Sequence, residues 1–389
     1  MKIDFANLRY QHNLYKDEIE DAILKVARNC NFIMGDEVQE LEKSLEEFTG
    51  AKYAISCSSG TDALLLAMMA LDIKPGDEVI TTSFTFIATA EAIAFLKATP
   101  VFVDIDEKTY NIDPNKIEEK ITSKTKAIIP VSLYGQPADM DAIQAVVDKV
   151  EGGRVKGEGG RMKGEGRREK TCNLQPSSSI KIIIDGAQSF GATYKGKSEV
   201  HYCDIYTTSF FPAKPLGCYG DGGAVFTNYD LLAKKIRSLR VHGQIKRYYH
   251  KYIGINGRLD TIQAAILNVK LKHYKKDLAL RQEVAKKYTE ALQNKDLILP
   301  FVDKKATSAW AQYSIRVKNR DKVQVKLKEK GIPTAVHYPM PLHLQECFRY
   351  LGYKEGDFPI AEKISKEILS LPMNPYLTEE EIEYIISNL

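Results

Sequence analysis

The sequence lacks the long apolar runs and the clustered metal-ligand patterns that mark several large classes of protein. No stretch approaches the roughly 18 to 20 apolar residues that a membrane-spanning helix requires, and residues 1–13 are polar rather than typical of a signal peptide. The six cysteines form no C-x-x-C pair, and the seven histidines form no H-E-x-x-H motif. We therefore expect a cytoplasmic protein with reduced thiols and without a structural or catalytic metal.

An excess of charge of one sign is also missing over most of the chain. The net charge is only +4, and residues 151–170 carry seven Lys or Arg against four Glu, a net +3. The rest is nearly neutral, which argues against nucleic acid or a membrane surface as a partner. Because seven of those twenty residues are glycine, we predict that residues 151–179 form a flexible surface insertion rather than a helix. A nucleic-acid-binding basic segment is the alternative, but it lacks aromatic residues for base stacking.

Apolar strand patterns alternate with helical patterns over about two thirds of the chain, which is typical of an α/β fold. Predicted strands cover residues 51–56, 77–82, 100–106, 126–133, 180–184, 205–208 and 224–227. We place this large α/β domain at residues 1–274 and a smaller C-terminal α+β domain at residues 275–389. In the smaller domain we predict helices at 279–293, 320–330, 359–369 and 378–387, a strand at 312–318, and a strand through Val336 that ends at His337 and Tyr338.

Lys214 follows the predicted strand 205–208 and sits beside Phe210, Phe211 and Pro212. Partial desolvation by these neighbours would lower the pKa of the lysine, and a neutral amine can attack a carbonyl carbon to form a Schiff base. Glycines follow at 220, 222 and 223, where the backbone can approach a ligand. The alternative is a solvated loop lysine, which is the common situation for this residue type.

Two other predicted element ends have ligand-binding character. Asp185 ends a buried strand, where open α/β sheets bind their ligands, although it could also cap a helix that begins near Ala187. Gly60 and Thr61 open a helix that is apolar on nearly every face. The free N–H groups at such a buried N-terminus can bind phosphate, or the motif can be simple capping. Phe86, at the mouth of a nearby loop, suits either the core or the face of an aromatic ligand.

A phosphate site, an acid at a strand end and a poised lysine are together the parts that pyridoxal phosphate (PLP) requires. Over nearly its whole length the chain resembles the DegT/StrS family of nucleotide-sugar aminotransferases, which are fold-type I PLP enzymes with a large, mostly parallel sheet. The matching stretches are SSGTDAL (58–64), TSFTFIATA (82–90), PVSLYGQ (130–136), IIDGAQSFG (183–191), TSFFPAKPLGCYGDGGA (208–224) and GINGRLDTIQAAIL (254–267).

The resemblance implies a role for each cofactor-site residue. Lys214 would form the Schiff base with PLP, and Asp185 would keep the pyridine nitrogen protonated. Phe86 would stack on the ring and Gln188 would contact the hydroxyl side of the ring. The phosphate would be held by Gly60, Thr61 and Ser209, and by Asn256 from the second subunit of a homodimer.

The resemblance also implies the substrates and the reaction. It predicts ping-pong transfer of an amino group from L-glutamate to C3 of a UDP-linked 3-keto N-acetylated hexuronic acid, for synthesis of surface polysaccharide precursors such as lipopolysaccharide O-antigen. Arg258, His242 and His337 are the candidate partners for the uronate carboxylate, and Tyr338 is expected to face the sugar nucleotide.

Three alternatives remain open at this stage. The first is an acceptor that is a 4-keto-6-deoxy sugar nucleotide. The second is a PLP-dependent sugar dehydratase, in which a histidine replaces the Schiff-base lysine, and Lys214 argues against this. The third is a regulator without catalytic activity, which the joint presence of Asp185, Gln188, Ser209 and Lys214 disfavours.

Overall fold

The computed structural model describes residues 3–157 and 179–389, with the side chains of residues 154–157 excepted. The helices are α1 (Leu8–Leu14), α2 (Lys16–Asn29), α3 (Asp36–Thr49), α4 (Gly60–Ala70), α5 (Ala88–Phe95), α6 (Met140–Gly157), α7 (Asp230–Leu239), α8 (Thr261–Leu292), α9 (Arg320–Glu329), α10 (Pro359–Glu367) and α11 (Glu379–Asn388). The strands are β1 (Tyr53–Cys57), β2 (Glu78–Thr82), β3 (Thr99–Val103), β4 (Thr125–Ile129), β5 (Lys181–Asp185), β6 (Thr193–Tyr194), β7 (Lys197–Ser198), β8 (Ile205–Ser209), β9 (Gly223–Thr227), β10 (Gln244–Lys246), β11 (Tyr249–His250), β12 (Tyr313–Arg316) and β13 (Ile368–Leu371). None of the described helices combines the length and apolar character needed to cross a membrane.

A seven-stranded sheet in the order β1-β9-β8-β5-β4-β2-β3 forms the centre of the fold. The strands from β8 to β3 pair in parallel, and β9 is antiparallel to both of its neighbours. Successive side chains of a strand point to opposite faces, and both faces are covered here. Ile182 and Ile184 of β5 pack in one apolar cluster with α3, α6 and α8, whereas Ile183 packs in another with α4, α5 and α7. The predicted α/β class with a mostly parallel sheet is confirmed.

Helix α8 connects this sheet to a smaller C-terminal group of elements. It runs without interruption for 32 residues, because Ala264 and Leu267 pack against the sheet while Tyr288 and Leu292 lie in the apolar cluster of β12, β13 and α11. Ile3 of the N-terminal segment joins that second cluster. The predicted domain boundary at residues 274 and 275 therefore falls inside a continuous helix, and the two-domain division stays a prediction.

Two local predictions were wrong. The expected helix break near residue 275 does not occur, since α8 continues to Leu292. No strand passes through Val336 to Tyr338; Ala335 makes a single bridge to Ser370 there. The N-terminal segment, for which no element was predicted, contains α1 and α2.

The predicted insertion at residues 151–179 lies mostly outside the described residues. Its first part, residues 151–157, belongs to α6, so the glycines there did not prevent a helix. At the other side, the carboxylate of Glu151 accepts hydrogen bonds from the backbone N–H groups of Ser179 (2.5 Å) and Ile180 (3.0 Å). The end of α6 and the approach to β5 thus lie side by side.

Candidate active site

A cavity of about 500 Å³ lies at the carboxyl ends of β5 and β8, between the N-terminus of α4 and the C-terminal elements. We call it the cleft. Ligands of open α/β sheets bind at this edge because loops and helix N-termini converge there. Nine predicted site residues line the cleft: Gly60, Thr61, Phe86, Asp185, Gln188, Ser209, Lys214, His337 and Tyr338.

Lys214 is held in a compact turn after β8. Its backbone N–H donates to the carbonyl of Phe211 (2.8 Å), and the turn is closed by hydrogen bonds of Phe210 to Gly222 (2.7 Å) and of Cys218 to Phe210 (2.8 Å). Burial lowers the pKa of the lysine, and the opposing charge of Asp185 limits the decrease. A lowered pKa increases the fraction of neutral amine, which is the nucleophilic form.

Asp185 faces the cleft from the end of β5 and is only 5% exposed. Its Oδ2 accepts a hydrogen bond from the hydroxyl of Thr89 (2.8 Å), and its Oδ1 accepts one from the backbone N–H of Ala187 (3.2 Å). Burial raises the pKa of the carboxyl group, while these two donors and the charge of Lys214 act in the opposite direction. The site therefore fixes the orientation of one carboxylate and surrounds it with groups that favour its charge.

Gln188 joins two sides of the cleft. Its Oε1 accepts from the backbone N–H of Tyr134 (2.6 Å), and its Nε2 donates to the hydroxyl of Tyr338 (3.1 Å) in the C-terminal part. The neighbouring His337 is bonded through Nδ1 to the hydroxyl of Ser370 (2.9 Å). Burial and the nearby positive charge of Lys214 lower the pKa of His337 to about 4, so its imidazole is neutral at pH 7.

The N-terminus of α4 forms the opposite wall. Ser59 is the N-cap, and its side chain accepts from the N–H of Asp62 (3.0 Å). Within the described residues the N–H groups of Gly60 and Thr61 have no acceptor. A Cβ atom at position 60 would come within 2.7 Å of the Cβ of Ser209, so glycine permits the close contact between this helix end and β8.

These features fit PLP on chemical grounds. Two free N–H groups at a helix N-terminus, next to a serine hydroxyl, suit a phosphate. A lysine with lowered pKa suits an aldehyde, and a buried carboxylate suits a protonated ring nitrogen. Phe86, which lines the cleft and is 54% exposed, offers a ring face for stacking.

Three predicted site residues do not line the cleft. Asn256 and Arg258 line an adjoining cavity of about 570 Å³ that shares Ser59 and Asp221 with the cleft. The Nε of Arg258 is buried and has no hydrogen-bond partner among the described residues. His242 is exposed and lies just before the β10–β11 hairpin, with a backbone φ of 63°. Its backbone carbonyl accepts a hydrogen bond from Nδ1 of His250 (2.9 Å).

The sequence analysis missed Thr89, the side-chain partner of Asp185. Thr89 stands 96 positions earlier in the chain, in the first turn of the mostly apolar helix α5. Only its place in the stretch 82–90, at the mouth of the predicted site, offered a signal. The pairing depends on the parallel strand order, which brings the loop after β2 beside the end of β5.

Comparison with known families identifies this site. The sequence model of the DegT/DnrJ/EryC1/StrS aminotransferase family matches residues 13–151 and 169–389. The chain belongs to this family. It is an aminotransferase that uses pyridoxal phosphate, and the predicted family, fold type and cofactor are confirmed. Residues 152–168, within the predicted insertion, have no counterpart in the family match.

Two relatives align along essentially their whole length. UDP-2-acetamido-2-deoxy-3-oxo-D-glucuronate aminotransferase of Pseudomonas aeruginosa is 47% identical over 387 residues, which cover 100% of this chain and 99% of that protein. A protein of Geobacillus stearothermophilus named pleiotropic regulatory protein is 44% identical over 392 residues, with coverage of 100% and 98%. This chain is therefore similar over its full length both to a protein named as an aminotransferase and to one named as a regulatory protein.

A solved relative contains the cofactor. The crystal structure of NtdA from Bacillus subtilis, with bound cofactor PMP, matches this chain with a TM-score of 0.85 and 30% identity, covering 100% of this chain and 84% of that one. PMP, pyridoxamine phosphate, is the aminated form of PLP. The family fold thus binds the cofactor that the cleft residues fit.

Proposed function

We propose that this aminotransferase transfers an amino group from L-glutamate to C3 of a UDP-linked 3-keto N-acetylated hexuronic acid, in the cytoplasm, as a step toward a surface polysaccharide such as O-antigen. The main support for this acceptor is the 47% identity over the full length to the Pseudomonas aeruginosa aminotransferase named above. The choice of glutamate and the polysaccharide context rest on the resemblance of the sequence to the family.

In this proposal the cofactor is held by residues of the cleft. Bound PLP supplies a ring that accepts electrons from the substrate carbon. Asp185 keeps a proton on the ring nitrogen, and the N–H groups of Gly60 and Thr61 bind the phosphate together with Ser209. Lys214 binds the aldehyde carbon and, once displaced by the amino donor, moves a proton at the substrate carbon.

The uronate carboxylate requires a cation or several donors when it is buried. Arg258 is the strongest of the three candidates because its guanidinium is always charged and its Nε lacks a partner within the described chain. His337 is neutral at pH 7, so it supplies a hydrogen bond rather than a charge. His242 stands outside both cavities and would reach the substrate only from a neighbouring subunit or after a movement of the hairpin.

The shared-site proposal concerns a homodimer. Asn256 and Arg258 line the adjoining cavity and not the cleft of their own chain, which supports their use by a second copy of the chain. We would mix inactive Lys214→Ala protomers with Arg258→Ala protomers, whose kcat/KM for the uronate is reduced, after partial unfolding and refolding. Heterodimers would then contain one intact site and regain activity. Confirmed subunit exchange without recovered activity would contradict the shared site.

The acceptor is tested by supplying glutamate with each of two keto sugar nucleotides, the 3-keto uronate and a 4-keto-6-deoxy sugar, and comparing kcat/KM. Preference for the uronate supports the proposal. Preference for the 6-deoxy acceptor would reject the uronate and leave aminotransfer in place. Arg258→Ala should narrow the difference between the two acceptors, whereas Arg349→Ala, at an exposed site elsewhere, should not.

A purely regulatory role, as in the name of the Geobacillus relative, predicts no turnover. Absorbance of the purified protein near the Schiff-base band, and its loss on adding glutamate, distinguishes that role from catalysis. A cofactor band that glutamate does not change, in protein that binds PLP, would reject the aminotransferase reaction with this donor.

A further inference from the structure

A second buried carboxyl group lies behind the cleft. Glu199 is 1% exposed and belongs to the short turn that follows β7. Its Oε1 is in hydrogen-bond contact with the hydroxyl of Ser132, and its Oε2 with the hydroxyl of Ser189. It belongs to neither the cofactor contacts proposed above nor the lining of the cleft.

The two serines belong to loops at the edge of the cleft: Val131 of the loop after β4 and Gln188 of the loop after β5 both line it. Ser132 follows β4, and its backbone N–H donates to the carbonyl of Asp185 (3.0 Å). Ser189 directly follows Gln188 in the chain and bonds back to Gly186 through its N–H (3.1 Å). Through these serines one side chain, Glu199, connects both loops.

No cation is among the groups that influence Glu199 in the described chain. The ionisable groups that face it are Asp185, the phenol of Tyr206 and the thiol of Cys203, which donates to its backbone carbonyl (3.6 Å). Burial raises the pKa of Glu199 to about 7; the two serine contacts oppose the increase, and the charge of Asp185 adds to it. Both carboxyl groups are buried, so ionising both together is unfavourable.

The surroundings decide which of the two carboxyl groups is charged. Asp185 has two hydrogen-bond donors, from Thr89 and Ala187, and the nearby charge of Lys214. Glu199 has only hydroxyl groups, which can donate or accept, so its contacts remain satisfied when it carries a proton. A neutral Glu199 can donate to one serine and accept from the other.

We propose that Glu199 is a positioning residue: as a neutral acid it ties together the loop after β4 and the loop after β5, which begins at Asp185, and it leaves the negative charge of the two carboxyl groups on that aspartate. This inference rests on the function proposed for Asp185 as the partner of the ring nitrogen. Environments that separate two carboxyl groups into one acid and one anion are a recurring way to assign such roles.

The first experiment measures binding of PLP to the apoprotein, and binding of the analogue in which C–H replaces the ring nitrogen. Glu199→Gln keeps the shape and both serine contacts without a charge, so its affinities should stay within about threefold of the parent. Glu199→Leu removes the contact of both serine hydroxyls with the carboxyl group and leaves Ser189 only its long contact with the hydroxyl of Tyr206 (3.4 Å). It should therefore weaken PLP binding roughly tenfold and reduce the preference for PLP over the analogue. Glu362→Gln, a change at a buried carboxyl in α10, is the matched control and should change neither value.

Each result decides a different statement. If Glu199→Leu keeps the preference of the parent for PLP over the analogue, Glu199 is not a positioning residue. If Glu199→Gln binds PLP as weakly as Glu199→Leu does, Glu199 does not act as a neutral acid. If Glu199→Leu does not fold, Ser189→Ala removes one contact and should lower the same preference; an unchanged preference would again overturn positioning. A parent enzyme that binds both compounds equally would instead reject the role of Asp185.

The second experiment needs no cofactor. A carboxyl group whose pKa is raised in the folded state keeps its proton there while the unfolded chain loses it, so its contribution to stability is present below about pH 4.5 and is lost as the pH rises through about 7. The denaturation midpoint of the parent apoprotein should therefore fall more steeply between pH 5 and 7 than that of Glu199→Gln. If the denaturation midpoints of the two proteins change in parallel with pH, Glu199 is not protonated in the folded protein.

Discussion

The cofactor side and the substrate side of the site are built differently. Asp185 and Gln188 are buried, and the side chain of each makes two hydrogen bonds within one chain. On the substrate side His242 is exposed, and Arg258 has a buried Nε without a partner among the described residues. One chain therefore preorganises the cofactor contacts, whereas the substrate contacts are left for a ligand or a second copy to complete. Changes on the first side should affect chemistry, and changes on the second should affect recognition.

The largest effect is expected for Lys214→Ala. We expect turnover to fall by roughly 10⁴-fold or more, because the variant loses both the amine that binds the cofactor and the base. The fold should persist, since the turn around residue 214 is closed by backbone hydrogen bonds that alanine retains. Loss of the Schiff-base absorbance with an unchanged thermal midpoint would support this. An active variant would contradict the role.

Asp185→Asn should lower turnover by roughly 10²- to 10³-fold, because a neutral amide does not keep the ring nitrogen charged. Cofactor binding should weaken less than turnover. Thr89→Val, which removes only one donor to Asp185, should give a smaller loss in the same direction. Equal kcat in Asp185→Asn and the parent would show that the buried carboxylate is not used.

Gly60→Ala tests the phosphate wall. The added Cβ would lie 2.7 Å from the Cβ of Ser209, so the start of α4 must shift and move its free N–H groups. We expect affinity for PLP to fall roughly tenfold, with kcat at saturating cofactor changed less. Gly152→Ala, where nothing lies within 4 Å of the new atom, is the control. Equal affinity in both variants would show that the helix end does not bind the phosphate.

Arg258→Ala should act on the substrate side. A charge-assisted hydrogen bond contributes about 1.5 to 3 kcal/mol, so kcat/KM for the uronate acceptor should fall about tenfold or more. The half-reaction with glutamate, followed by the cofactor spectrum, should change little. A selective loss of the glutamate half-reaction would place Arg258 with the amino donor.

The smallest effect is expected from replacing residues 158–168 with four Gly and Ser residues. The family match omits residues 152–168, and the replacement leaves α6 intact to Gly157. We expect kcat and KM to change by less than about twofold, because the family match, which includes every predicted site residue, does not include residues 158–168. A large loss in steady-state assays would show that this segment reaches the active site or a partner.

The local sequence was sufficient to predict the site residues that stand at the ends of predicted strands and helices. Asp185, Lys214 and the Gly60–Thr61 pair each stand at the end of a predicted strand or the start of a predicted helix, and parallel strands place such ends at one edge. Thr89 and Glu199 gave no such signal. Their importance depends on contacts with Asp185 and with Ser132 and Ser189, which are separated from them by 10 to 96 positions.

The sequence alone determined the alternation of strands and helices, the apolar character of β5 and α4, and the motifs that indicate PLP, because each is written in a short run of residues. Only the tertiary structure decided that α8 continues past residue 275, since packing of Tyr288 and Leu292 against the C-terminal elements stabilises the helix beyond its local preference. It also decided the environment of Glu199. The burial of this carboxyl group, with no cation beside it in the described part of the chain, arises from loops that meet only after folding, and this burial raises its pKa.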